Sequence, residues 1–113
     1  MREIKAIVQP FKVMAITDAL QAIPGVAGIT ALEARGFGRE PGMFGIEKPA
    51  PGSVNYTKRA LLLLVVNEDV VDQVIEAITR LAHTGNFGDG VVFLSTIDDA
   101  VRIRTGERGV KAL

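Results

Sequence analysis

Apolar residues recur along this chain in two rhythms, one of strands and one of helices. Glu3 to Gln9 is a short stretch rich in β-branched and apolar residues and closed by Pro10. It predicts a first strand, with the proline stopping it before a helix. From Lys12 to Ile23 the residues Val13, Ile16, Leu20 and Ile23 recur at spacings of three and four, and Pro24-Gly25 follows. That predicts one helix with its terminator. Ile29 to Arg35 returns to strand, and Tyr56 to Val66 resumes as another around the run LeuLeuLeuLeuValVal. Asn67 is placed as an N-cap with Glu68 and Asp69 in the first turn, ahead of Val70, Val74, Ile78 and Leu81 on one helical face. This second helix is expected to end near Thr84-Gly85, and Val91 to Ile97 to form the fourth strand after AsnPheGlyAspGly.

The order β-α-β, long loop, β-α-β is the split βαβ pattern, so an α+β, ferredoxin-like βαββαβ sandwich is expected. The chain's 113 residues suit one domain. Its expected parts include a long loop at about 37–56 and a C-terminal segment at about 99–113. The stretch Gly36 to Asn55 is rich in Gly and Pro and lacks periodicity. About 20 residues of that kind inside a small domain are usually functional or disordered, and an ornamental insertion is the bland alternative.

Composition narrows the partners. Lys plus Arg total 13 and Asp plus Glu total 13, so no net positive field draws in nucleic acid or an anionic membrane. Local charge must carry any anion binding. Apolar residues make up 48% of the chain with aromatics at 5% and no Trp, so a core must be built from Ile, Val, Leu and Ala. A domain this small leaves much of its surface uncovered, and oligomerisation would help it. Cysteine is absent, no apolar run suits a signal peptide, and Leu61 to Val66 is far too short to span a bilayer. A cytoplasmic protein without membrane insertion is expected.

Three segments have the chemistry to bind an anion. In Arg35-Gly36-Phe37-Gly38-Arg39 the glycines free backbone N–H groups beside two guanidiniums. In Thr84-Gly85-Asn86-Phe87-Gly88-Asp89-Gly90 the glycines permit positive φ and a nest of donors, although a helix cap followed by a turn explains the same residues. In Val101-Arg102-Ile103-Arg104-Thr105-Gly106-Glu107 strand alternation would set Arg102 and Arg104 on one side, where they suit a polyphosphate or a solvated face. His83 is the only histidine, so neither a histidine metal cluster nor a serine-histidine-acid triad can be built. Asp98-Asp99 and Glu68-Asp69 sit at element boundaries, where capping explains them. No compelling nucleophile or general base remains, and no enzyme activity and no metal site are expected. RNA binding on the sheet would need paired strand aromatics, which the chain lacks.

Taken together, IleLysAlaIleValGlnProPheLys, GlyPheGlyArg, HisThrGlyAsnPheGlyAspGly and ArgIleArgThrGlyGlu, in this order and spacing, resemble the PII family of signal-transduction proteins. The resemblance spans nearly the whole chain. It implies a ferredoxin-like homotrimer with adenine nucleotides (ADP, AMP or ATP) in clefts between subunits and a long T-loop directed at a partner protein. By position it implies that Ile7, Ile29 and Thr30 line or hydrogen-bond the adenine, with Val65, Thr84 and Phe87 also among the nucleotide-binding positions. Gly36, Phe37, Gly38 and Arg39 would meet the nucleotide where the loop leaves the body. Gly88, Asp89 and Gly90 would surround ribose and phosphates, and Arg102 and Arg104 would supply guanidiniums, one of them from a neighbouring subunit.

The departures from the family pattern concern the phosphates and the co-ligand. Members that sense 2-oxoglutarate carry a glutamine after GlyPheGlyArg, where this chain has Glu40, and the family lysine after GlyAspGly, which meets the nucleotide phosphates, is Val91 here. The lysine that grips the keto acid aligns with Arg59, or with Lys58 if the register slips by one. The loop lacks the family's modifiable tyrosine motif; Tyr56 at its base reads as strand packing, and Met43, Phe44 and Ile46 form an apolar cluster. These features resemble divergent members tied to inorganic carbon or transport. The expectation is therefore ADP or AMP bound at least as well as ATP, with bicarbonate as candidate co-ligand and a transporter, a regulatory enzyme or a carboxysome component as partner. A nitrogen regulator sensing ATP and 2-oxoglutarate is the alternative, and a small-molecule enzyme on the same fold is the third.

Overall fold

The computed structural model describes residues 1–38 and 56–113. Strand β1 spans Arg2–Val8, helix α1 Val13–Gln21, β2 Thr30–Gly36, β3 Thr57–Val66, helix α2 Val71–Ala82 and β4 Gly90–Thr96. The four strands form an antiparallel sheet in the order β2-β3-β1-β4. This is the ferredoxin-like arrangement expected from the sequence. The two strands nearest in sequence to the long loop pair with each other, and β1 lies between β3 and β4.

Both helices cover one face of the sheet. Ile4, Ala6 and Val8 of β1 and Ala60, Leu62, Leu64 and Val66 of β3 alternate inward against Ile16 and Leu20 of α1 and Val71, Val74, Ala77 and Ile78 of α2. The period of two on the strands and of three to four on the helices is what brings these residues into one core. The other face carries Leu32, Leu61, Ile7 and Val91 in one cross-strand row and Thr30, Leu63, Lys5 and Phe93 in the next. Leu32, Val91 and Phe93 are exposed there.

The strand ends depart from the sequence reading by at most one residue and α1 stops at Gln21, short of Ile23; three further differences have a local cause. Pro10–Lys12 forms a 3-10 turn ahead of α1, because Pro at a first helical position has its φ preset and needs no amide partner. Glu68–Val70 forms another ahead of α2, so Asn67 takes the capping place of that turn and its side chain makes no cap bond. Helix α2 stops at Ala82, with His83 already extended, rather than near Thr84-Gly85. Tyr56 is exposed at 65% and does not pack under the strand. The loop residues 39–55, with Arg39, Glu40, Met43, Phe44 and Ile46, lie outside the described residues.

Candidate ligand site

The turn between α2 and β4 is held by one carboxylate. Asp89 accepts from the amides of Thr84 (2.7 Å) and Gly85 (3.0 Å), and from the Thr84 hydroxyl. The Thr84 hydroxyl in turn accepts from the Asn86 amide at 3.1 Å. These bonds, led by the Thr84 hydroxyl, draw the Asp89 carboxyl down to about 2. Asp89 is therefore spent on its own turn, and Thr84 with it. Gly85, Gly88 and Gly90 have φ of 89°, 93° and 109°. At Gly90 a side chain is excluded as well, since a Cβ would fall onto the carbonyl oxygen of Ile7 on the neighbouring strand. Phe87 is exposed beside this turn, as is Phe11.

The same end of the sheet holds the base of the long loop. Gly36 pairs with Thr57, whose hydroxyl donates to the Gly36 carbonyl at 3.1 Å, and Phe37 follows, exposed. Lys58 stands opposite Arg35 and Arg59 opposite Ala34, so strand alternation sends the two cations to opposite faces. Arg59 is the one beside the turn, with Nη2 placed 3.2 Å from where a Gly88 Cβ would stand. It donates to the Lys58 carbonyl at 2.9 Å and to Gln9 Oε1 at 3.4 Å, and Gln9 Nε2 donates to the Gly88 carbonyl at 2.6 Å. Gln9 was missed by the sequence reading. Its only signal there was a polar residue closing a strand ahead of a proline.

One chain does not bring all the candidates together. Ile7 at the end of β1 faces Val91 beside the turn, and Gly36, Phe37, Gly38, Arg59 and Gly88 to Gly90 share that end of the sheet. Thr30 opens β2 at the opposite end, opposite Leu63, with Ile29 just before it and Val65 nearby on β3. Six steps of extended strand lead from Thr30 to Gly36, which is about 20 Å. Arg102 and Arg104 belong to the segment that leaves β4 at that far end, where the Ile97 amide donates to the Met1 carbonyl at 3.0 Å.

The strand expected to align those two arginines does not form. A strand needs a partner, and in this segment only Val101 finds one, in an isolated bridge to Arg108. Residues 102–107 instead make a turn, with the Arg102 amide donating to Glu107 at 2.9 Å and the Gly106 amide to Arg102 at 2.7 Å. Asp99 closes it by accepting from Arg108 Nη2 at 2.6 Å and from the Gly109 amide at 3.1 Å, and the Arg108 guanidinium holds its carboxyl below the usual range. Arg102 Nη2 donates to the Leu113 carbonyl at 2.6 Å, whereas Arg104 is exposed.

A βαββαβ sandwich in which the strand ends flanking residues 39–55 and the glycine turn lie at the same end of the sheet is a ferredoxin-like domain. The model of the family described as nitrogen regulatory protein P-II matches residues 1–107. The chain belongs to that family, whose members are signal-transduction proteins and not enzymes. It is 42% identical over 113 residues to the nitrogen regulatory protein P-II of Bradyrhizobium diazoefficiens and 40% identical to those of Azospirillum brasilense and Haemophilus influenzae, each match covering 100% of both chains. Among solved structures it is similar to Arabidopsis thaliana PII bound to citrate, with a TM-score of 0.80 at 33% identity over 99% of this chain and 91% of that one.

Proposed function

We propose that this protein is a cytoplasmic single-domain PII signalling protein, binding ADP, AMP or ATP in the clefts between subunits of a homotrimer and acting on a partner through the loop at about 37–56. The observation that carries the reading is the separation of about 20 Å between the two groups of candidate residues within one chain. A head-to-tail ring would set the Gly36 and Gly88 end of one subunit beside the Thr30 and Arg102 end of the next. The exposed apolar row on the open sheet face and the fully exposed Ile103 support the same assembly, since a monomer gains nothing from leaving them in water.

The names of the relatives favour nitrogen regulation, with ATP and 2-oxoglutarate as signals, over a carbon-linked role. Arg59 is the better candidate than Lys58 for holding a carboxylate, because it is the cation beside Gly88. The bicarbonate reading keeps one observation in its favour. Val91 supplies no cation where the family has lysine, and Glu40 adds an anion, so a polyanion is held less well.

Calorimetric titration with AMP, ADP and ATP, with and without magnesium, 2-oxoglutarate and bicarbonate, separates these readings. Nucleotide binding strengthened by magnesium and 2-oxoglutarate together is the nitrogen-sensor outcome, and enhancement by bicarbonate alone is the carbon-linked one. Arg102→Ala or Arg104→Ala is expected to weaken the nucleotide by roughly 1.5–3 kcal/mol. Unchanged affinity in both variants removes the arginines from the site.

A further inference from the structure

Gln9 bonds in two directions at once. Its Nε2 donates to the Gly88 carbonyl at 2.6 Å, and its Oε1 accepts from Arg59 Nη1 at 3.4 Å. The amide orientation is forced by chemistry, since a carbonyl can only accept and a guanidinium can only donate. Neither a cation nor a carboxylate at this position serves both neighbours. The three groups come from segments far apart in the chain and meet nowhere else. Gly88 is hemmed in by the same two side chains, each 3.2 Å from where its Cβ would stand.

The two bonds are unequal, and that inequality gives direction to the arrangement. The bond from Arg59 is long and therefore weak, whereas the bond to Gly88 is short. A carboxylate arriving at Arg59 brings a full opposite charge and two acceptor oxygens, and so makes shorter bonds to the guanidinium than the 3.4 Å contact with the neutral Gln9 amide. The Gln9 contact is the one it displaces. Gln9 then answers to Gly88 alone, and the turn that continues into Asp89 and Gly90 changes its constraint.

We propose that Gln9 is a positioning residue that links the occupancy of Arg59 by a carboxylate to the conformation of the Gly88-Asp89-Gly90 turn. This rests on the reading that the turn and Arg59 belong to one binding site. Linkage requires the effect to run both ways, so a nucleotide at the turn must alter carboxylate affinity by the same factor.

The test has two arms on the full chain. The first needs no ligand: backbone amide resonances of Gly88, Asp89 and Gly90 are recorded for the wild type, Arg59→Met, Gln9→Leu and the double variant. Arg59 abuts Gly88 directly, so Arg59→Met is expected to move the Gly88 resonance in both backgrounds, but to move those of Asp89 and Gly90 further in the wild-type background than in the Q9L background. Equal movement of Asp89 and Gly90 in both backgrounds, or movement in neither, overturns the proposal. The second arm measures the ratio of ATP affinities with and without 2-oxoglutarate in the presence of magnesium. Q9L is expected to bring that ratio to about one, and Gln9→Glu, which keeps the acceptor for Arg59 but loses the donor to Gly88, to do the same. A wild-type ratio that survives in both variants overturns the link. Failure of the wild type to bind ATP at all overturns the nucleotide reading and leaves the first arm to decide on Gln9.

Discussion

At the scale of single residues, Asp89 turns a loop into a fixed object. Its carboxyl sits at about 2 instead of the ordinary 3.8, chiefly because the Thr84 hydroxyl donates to it. A group whose folded pKa is depressed stabilises the fold above its unfolded pKa, and the contribution is lost as pH falls through the folded value. Protection of the Thr84 and Gly85 amides against hydrogen exchange is therefore expected to hold at pH above 3.8 and to fade as pH falls to about 2. Protection factors corrected for intrinsic rates measure this. Asp89→Asn should abolish the pH dependence, and protection that persists in that variant would assign the turn's order to its backbone alone. This role of Asp89 was partly readable beforehand, since a short acid among glycines suggests a turn. The role of Gln9 was not. It depends on residues 50 and 79 positions away, which no local pattern contains.

At the scale of elements, periodicity carried most of the information. The three-and-four spacing in α2 brings Val71, Val74 and Ile78 under the sheet, and Ile78 is fully buried. Ile78→Ala is expected to cost about 2–5 kcal/mol, read from the shift in a urea unfolding midpoint at constant slope. A loss under about 1 kcal/mol would mean that the core collapses around the gap. Where periodicity misled, the missing ingredient was a partner. Arg102 and Arg104 alternate with Val101 and Ile103 as strand residues do, yet alternation is a property of one segment and a strand belongs to two. The 3-10 turns before each helix were also illegible, because their residues suit a first helical turn equally well and only the hydrogen-bond closure distinguishes them.

At the scale of the molecule, the run Leu61 to Val66 is the informative stretch. Leu62, Leu64 and Val66 are buried against the helices, while Leu61, Leu63 and Val65 on the other face are only half-buried. An uninterrupted apolar strand is the mark of a sheet covered on both sides, and among the described residues no element covers the second face. The wild type is expected to sediment as a trimer at micromolar concentration. Leu32→Asp with Phe93→Asp should give a folded monomer, checked by circular dichroism alongside sedimentation. A monomeric wild type would defeat the shared-cleft reading. The strand order β2-β3-β1-β4 also has a consequence for how the molecule is made. Strand β1 is the first to be synthesised, and its two neighbours, β3 and β4, are completed only at Val66 and Thr96. During translation β1 therefore waits with both edges unpaired, then with one, until Thr96 has left the ribosome. Unpaired strand edges invite aggregation and distant pairings form slowly, so the nascent chain stays vulnerable until Ile7 finds Val91.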